Sequence, residues 1–374
     1  MLNEIYIDNF RSLVNFKLQL SHFQLWLGDN GSGKTSVLDV IRRIQKIVEG
    51  CAVNDVFSSD DLTSWVKKPT QEFVLKFRVE EDNYEYALSI EHDKNKGTCR
   101  ILTEELKWNN QTFYLYKDGE AHLFLINRDS GGVDGRPSVT IASNRSFLSE
   151  IVEHPNNYPV FRFRKELRNC LIVNPIPVGV SDSAEKEERK LKPHAENFTM
   201  WYRHLLQEDP SIGYSAGEYL KEVLPGYEKL SLNEHGGYRK LRATFRIENS
   251  DISFDFSRLS DGQRQLMILY ALLAAFKKNL CSILVLDEPD NFVTLREIAL
   301  WWGALNDICQ ESSKQAVIIS HHPTIVNQMG HMSQTGERNA IWFSRPNGSH
   351  TVVKPYENVD GLTPAETMER GWME

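Results

Sequence analysis

Apolar and polar positions change period several times along this chain, and each change marks an element. Near the start they alternate: Ile5 and Ile7, then Leu13, Phe16, Leu18 and Leu20. That pattern predicts two strands joined by Asn9-Phe10-Arg11-Ser12. Phe23 to Leu27 is a short continuous apolar run, the pattern of a buried strand. The period then becomes helical through Val37, Leu38, Val40 and Ile41, to about Val48. Alternation returns with Phe73, Leu75, Phe77 and Val79, and again with Tyr84, Tyr86, Leu88 and Ile90 after a turn at Glu81-Asp82-Asn83. Asn109-Asn110 and Asp118-Gly119 mark two further hairpin turns. Residues 70–127 therefore predict an antiparallel sheet.

The second half reads differently. Residues 181–196 carry almost no apolar group and predict a solvated linker. Helices are expected over 197–223, with Trp201, Leu205 and Leu206 on one face and Tyr219, Leu220 and Val223 on another. Strands resume near Tyr238–Ile247. Gln263–Lys277 is helical, Ser282–Leu286 a buried strand, Thr294–Gln310 a helix and Ala316–Ser320 a second buried strand. Continuous apolar strands alternating with helices predict a parallel sheet covered on both faces. No heptad pattern persists, so no long coiled coil is expected. The expected organisation is an N-terminal lobe over 1–145, a mainly helical insert over 146–235 and a C-terminal lobe over 236–374.

Composition narrows the function. The chain has 374 residues, 41% hydrophobic and 25% charged, which is globular and ordinary. A net charge of -8 argues against bulk coating of nucleic acid or acidic membrane, but leaves room for a local basic groove. The five cysteines are scattered with no C-x-x-C pair, which suits reduced thiols and neither a disulfide framework nor a zinc site. No apolar run of about 18 residues predicts a membrane span. Met1-Leu2-Asn3-Glu4 lacks the basic start of a secretory leader, so a cytoplasmic protein is expected.

The chemistry is carried by Gly28-Asp29-Asn30-Gly31-Ser32-Gly33-Lys34-Thr35, a complete G-x-x-x-x-G-K-[ST] pattern between a strand and a helix. Glycines let backbone N–H groups converge on phosphate oxygens, at a helix N-terminus that also favours negative charge. Asn30 to Ser36 are the candidate contacts. Lys34 can reach the β- and γ-phosphates of ATP, and the Thr35 hydroxyl can ligate Mg²⁺. Downstream, the apolar strand Ile283-Leu284-Val285-Leu286 ends in Asp287-Glu288. Asp287 is placed to hold Mg²⁺, and Glu288 to orient and deprotonate a water. Between these motifs lies Leu259-Ser260-Asp261-Gly262-Gln263. It is either a capped helix start alone or a second phosphate-binding surface.

The order Lys34, Leu-Ser-Asp-Gly-Gln, Asp287-Glu288, then Ser320-His321-His322-Pro323 resembles the ATP-binding-cassette ATPases. Within them, Asn9-Phe10-Arg11-Ser12 and Ile-Ser-His-His-Pro look most like the stand-alone AAA ATPases of the RecF/SMC/OLD type. The resemblance covers about 1–48 and 255–326. It implies an α/β phosphate-loop head with a parallel core sheet, an antiparallel β-subdomain and a helical insert. It also implies a dimer closing around two ATP·Mg²⁺. Ser260 and Gly262 would then touch the γ-phosphate held by the other copy. His321, rather than His322, would sense the γ-phosphate, Arg11 would lie near the nucleotide, and Gln71 would supply the Q-loop ligand to the metal. Such a head is expected to control a partner, a nuclease or toxin, or to act on DNA, in bacterial repair or phage defence. A transporter's nucleotide-binding subunit and a slow ATP-dependent scaffold are the alternatives. The sequence departs from the family after Glu288, where Asp290-Asn291-Phe292-Val293-Thr294-Leu295 lacks the usual His-Pro. The coiled-coil arms of SMC proteins and an OLD-type nuclease domain are not recognisable either. Two weaker signals are a basic cluster, Arg162, Arg164, Lys165 and Arg168, read as a solvated face or a nucleic-acid track, and Trp372, read as a docking or packing residue.

Overall fold

A computed structural model describes residues 1–126, 133–135, 137–312, 314–333, 340–356 and 362–369. In chain order, β1 (Leu2–Asp8), β2 (Phe16–Gln19) and β3 (Phe23–Gly28) lead through the glycine-rich loop into α1 (Lys34–Val48). A single turn, α2 (Val53–Val56), precedes a meander of β4 (Thr70–Val79), β5 (Asp82–Asp93), β6 (Thr98–Trp108), β7 (Gln111–Lys117) and β8 (Glu120–Ile126), with short β9 (Val133–Gly135) and β10 (Val139–Thr140). Then follow α3 (Tyr158–Arg168), β11 (Cys170–Val173), β12 (Ser183–Ala184), α4 (Phe198–Glu208), α5 (Ser211–Val223), β13 (Tyr227–His235), β14 (Tyr238–Ile247) and β15 (Ser250–Asp255). The chain ends with α6 (Asp261–Lys277), β16 (Ile283–Asp287), α7 (Leu295–Glu311), β17 (Gln315–Ile319), α8 (Pro323–Ser333), β18 (Ala340–Ser344), β19 (Val352–Pro355) and α9 (Pro364–Glu369).

Three sheets result. The meander joins the N-terminal hairpin in the order β10-β8-β7-β6-β5-β4-β1-β2, with β9 on β8. The core sheet runs β11-β16-β17-β3-β18-β19, parallel except for the last pair. A smaller sheet, β12-β14-β13 with β15 on β14, lies beside α4 and α5.

The core strands are apolar throughout because both faces are covered, and their side chains divide with period 2. Leu25, Leu27, Leu284, Leu286, Ala316, Ile318 and Trp342 join the core of α4 to α7. Trp26, Ile283, Val285, Val317, Ile319, Ile341 and Phe343 face the other way, onto α1, α3 and the antiparallel sheet. Helix α1 meets that core with Val37, Leu38, Val40, Ile41, Ile44 and Ile47, a 3.6-residue stripe in which every member is fully buried. Helix α6 is buried along Leu266–Phe276, and this helix is the floor of the second core.

Three expectations need correction. The segment expected as a helical insert also contains β11, which is the edge strand of the core sheet, so the core draws on residues from inside it. Residues 181–196 are not a free linker. Ala184, Leu191 and Ala195 are buried, and the carbonyls of Pro193 and His194 accept the backbone N–H groups of Asn174 and Ile176 at 2.7 and 3.0 Å. Backbone bonding orders a stretch that its apolar content would leave loose. Strand β13 begins at Tyr227, ahead of the predicted return to strand structure, because its mixed burial pattern hides the alternation.

Candidate nucleotide site at the strand ends

The parallel register brings the chemical residues to one edge. Val173 pairs with Leu286, Asp287 with Ile319, Ile319 with Trp26, and Gly28 with Phe343. Asn174, Asp287-Glu288, Ser320-His321 and the glycine-rich loop therefore leave the sheet side by side, at the carboxyl edge where open α/β sheets bind ligands.

Lys34 is buried at the first helical position. Its ammonium donates to the carbonyls of Gly28 and Asp29, at 2.5 and 3.0 Å, and to the Ser32 hydroxyl at 3.2 Å. Burial lowers its pKa, and Asp287, Asp29 and Glu288 oppose that shift. Asn30, Gly31 and Thr35 are exposed, Gly33 and Ser36 are half-buried, and Ser32 is buried. The Thr35 hydroxyl donates to Asp287 Oδ2 at 3.3 Å, which joins the first motif to the second. Asp287 is itself buried. Burial raises its pKa, the neighbouring Glu288 charge adds to this, and hydrogen bonds from Asn174 and Thr35 oppose it. A hydroxyl and a carboxylate in contact, with the Asn174 amide beside them, offer hard oxygen donors, which fit Mg²⁺.

Glu288 has φ 50, a left-handed conformation that is unusual for a residue before proline. Its N–H bonds to Ile319 O at 2.8 Å, and Asn291 Nδ2 donates to its carboxylate at 3.0 Å. Both hold the side chain where the strand ends. His321 shares this neighbourhood. Partial burial and the Lys34 charge lower its pKa, against Glu288, Asp290 and Asp29. His321 also lines, with Gly28, Asp29 and Trp342, a cleft of about 240 Å³ beside the loop. His322 is used locally instead, since its Nδ1 accepts the Thr324 N–H at 3.3 Å.

Ser260 caps α6. It accepts the Gln263 N–H at 3.2 Å while the Gln263 side chain reaches back to the Ser260 N–H at 3.1 Å, and Ser260 itself is exposed. Gly262 is required sterically, because a Cβ there would lie 2.7 Å from the Phe292 carbonyl. The loop after Glu288 thus packs on the start of α6, with Phe292 about half exposed.

Comparison with known proteins agrees with this geometry. Residues 1–123 match the AAA ATPase domain family. The DNA replication and repair proteins RecF of Glaesserella parasuis serovar 5 and of Actinobacillus pleuropneumoniae serotype 5b are each 30% identical over 105 residues, 28% of this chain and 27% of theirs. The chain thus matches about a quarter of the length of these curated relatives. The fold is that of an Smc head crystallised with the C-winged helix domain of ScpA, with TM-score 0.56 at 14% identity, covering 95% of this chain and 98% of that one. The N-terminal third is thus similar to AAA-type and RecF ATPases, and the fold is that of an ABC-type head.

Within this fold, Gln71, expected at the nucleotide, takes another place, and Arg11 is held on the flank of α1. Gln71 is fully buried at the start of β4. Its oxygen accepts from His92 Nε2 at 2.9 Å, and its amide donates to Asn9 O and Asp61 O at 2.9 and 3.3 Å. Its polar atoms are consumed in joining the sheet to the first hairpin, so it is not free to ligate a metal. Asn174 stands beside Asp287 and hydrogen-bonds to it. The meander separates α1 from the next core strand in the chain, Cys170–Val173, which pairs with β16 and is followed by Asn174. The four apolar residues preceding Asn174 were the available signal. Arg11 pairs with Asp39 of α1 at 2.8 Å and with Asp61 at 3.3 Å, and its side chain is 41% exposed. Asp61 also binds Arg43, at 2.5 Å. Arg11 therefore sits on the flank of α1, tied to it by Asp39.

The basic cluster is largely paired. Arg162 meets Glu80 and Asp82, Arg168 meets Glu49, and Arg164 donates to the carbonyls of Ile151 and Ser149. Trp372 lies outside the described residues. Among the described residues no helix is long and apolar enough to cross a membrane.

Proposed function

We propose that this head binds and hydrolyses ATP with Mg²⁺, pairs with a second copy around two ATP molecules, and uses the cycle to control a partner effector or DNA. The observation that carries the reading is the Thr35–Asp287 contact, which places the phosphate-loop hydroxyl and the strand-end carboxylate 3.3 Å apart with Glu288 next in sequence. Thr35 and Asp287 would hold Mg²⁺ with Asn174 beside them, and the metal would neutralise charge on the β- and γ-phosphates. Lys34 would exchange its carbonyl partners for phosphate oxygens. Glu288 would take a proton from the attacking water, and a neutral His321 would hydrogen-bond near the γ-phosphate. Ser260 is exposed at the N-terminus of α6, which suits a phosphate supplied by another copy. The similarity to the DNA replication and repair protein RecF supports DNA as the setting. A nuclease or toxin partner in phage defence is the alternative output of the same cycle.

Glu288→Gln tests this. The amide is nearly isosteric but cannot accept the proton, so ATP should remain bound, phosphate release should fall at least about 100-fold, and a dimer should accumulate with ATP. Phosphate release and light scattering with and without ATP are the measurements. Near wild-type turnover removes Glu288 as the base. Loss of turnover with no ATP-dependent dimer removes the shared-site mechanism.

A further inference from the structure

We infer that Thr351, with Ser12 and Arg345, is a positioning device for the phosphate loop. The inference rests on the nucleotide-site reading above and extends it to a C-terminal turn that no motif marks.

The Thr351 hydroxyl donates to the Ser32 carbonyl at 2.8 Å. That uses its one proton, so in the 2.8 Å contact with Ser12 Oγ the serine is the donor. The Thr351 N–H in turn donates to Ser12 O at 2.8 Å. Thr351 and Ser12 are both buried, so these bonds are shielded from competing water. The turn between β18 and β19 that delivers Thr351 is folded by Arg345, which donates to Ser349 O and Gly348 O, both at 2.8 Å, and reaches Gly31 O at 3.4 Å. Two successive loop carbonyls, Gly31 and Ser32, are thus held from one side.

The consequence follows from peptide planarity. In a trans peptide the C=O of Ser32 and the N–H of Gly33 point in opposite directions. Pinning that carbonyl toward Thr351 aims the Gly33 N–H toward the inner side of the loop, where the motif requires donors for phosphate. Glycine stretches leave peptide orientation soft, and Gly33 itself adopts φ 105. Nor can a side chain substitute for the brace, because a Cβ on Gly33 would lie 2.4 Å from Thr351 Oγ1 and 3.2 Å from Ser12 Oγ. The antiparallel lobe, through Ser12, and the C-terminal turn, through Thr351, meet on one peptide of the loop.

Thr351→Val keeps the shape and removes the donor, whereas Thr351→Ser keeps the donor. Affinity for ATP and for ADP, measured by titration calorimetry well below the melting temperature, should weaken about tenfold in Thr351→Val for both nucleotides, since one net hydrogen bond orients a donor used by each. Thr351→Ser should recover affinity to within about threefold. Ser12→Ala should lie between the two. Wild-type affinity in Thr351→Val overturns the inference, provided Lys34→Ala has lost binding in the same assay. Equal losses in the Val and Ser variants, following their melting temperatures, overturn it too by reducing Thr351 to a packing residue. Normal binding by Lys34→Ala would instead overturn the phosphate-loop reading, and the brace with it.

Discussion

Glu104 on β6 and Asp287 at the tip of β16 are both buried carboxylates whose pKa burial raises, yet their surroundings differ in kind. Glu104 accepts the hydroxyls of Tyr86 and Ser146, each at 2.7 Å, and of Tyr114 at 3.1 Å. Each of its oxygens has a partner, and the three donors come from two neighbouring strands and the loop after β10, so the carboxylate stitches the antiparallel sheet to the segment that follows it. Asp287 has a long 3.3 Å bond from Thr35, the Asn174 side chain, and a second acidic residue immediately after it. A buried charge is tolerable when its acceptor sites are filled. At Glu104 the protein fills them itself. At Asp287 it leaves acceptor capacity facing a like charge, an arrangement that a cation relieves. The same residue class is therefore a structural tie in one region and, in the proposed cycle, a metal ligand in the other.

The largest effect should come from Asp287→Asn. Removing the carboxylate should lower Mg²⁺-dependent phosphate release about 1000-fold, the scale of losing a preorganised charged group. Without nucleotide, its melting temperature should equal or exceed that of the wild type, because the repulsion with Glu288 disappears. Paired phosphate-release and melting measurements check both halves. A strongly destabilised Asp287→Asn would break the contrast, since Asp287 would then be a tie like Glu104.

Glu104→Leu should show the reverse. Three buried hydroxyls lose their acceptor, at about 1 to 3 kcal/mol each when left unsatisfied, and even partial rearrangement leaves a loss of about 3 kcal/mol. Denaturant unfolding should reveal this, while ATP affinity of the folded protein stays within about twofold of wild type. Lost ATP affinity in a protein that is still folded would mean the antiparallel lobe is coupled to the nucleotide more tightly than Ser12 and Arg11 suggest.

The fold was legible wherever burial leaves a period. The all-apolar runs of β3, β16 and β17, and the stripe on α1, announce a parallel sheet with covers on both sides. Of the candidate site, the contiguous motifs were legible, and the structure brings Lys34, Thr35, Asp287 and Glu288 together at the strand ends. What stayed hidden depends on distance along the chain. Gln71 looked well placed only because the meander's length does not reveal where the chain re-enters the core; it does so at β11, four residues long, with Asn174 behind it. Thr351 is more than 300 positions from Ser32 in sequence, and no local signal links the two. Residues 181–196 are ordered by backbone hydrogen bonds, which composition does not register.

The smallest effect, and the finest test of the contrast, is the pH dependence carried by Glu104. Its folded pKa is raised above the ordinary glutamate value of 4.5. The protonated form is thus favoured by folding, and its contribution to stability is fully present below that ordinary value and is lost as pH rises through the folded pKa. Glu104→Gln cannot ionise, and its oxygen and amide can still meet the three hydroxyls. The variant's melting temperature relative to wild type should therefore climb as pH is raised from about 4.5 and level off above the folded pKa, a rise of a few degrees at most. Differential scanning fluorimetry over about pH 4.5 to 8 reads this directly. A difference that stays flat across the range would show that the hydroxyls stabilise the carboxylate fully, so that burial exerts no net upward pull at Glu104. In Asp287→Asn the same scan should also rise with pH, because Asp287 is raised as well, but there Mg²⁺ should suppress the rise in the wild-type comparison. A bound cation favours the ionised carboxylate and lowers its pKa. Mg²⁺ should leave the Glu104→Gln profile unchanged, since the three hydroxyls already occupy that carboxylate, and this separates the metal-facing group from the structural one.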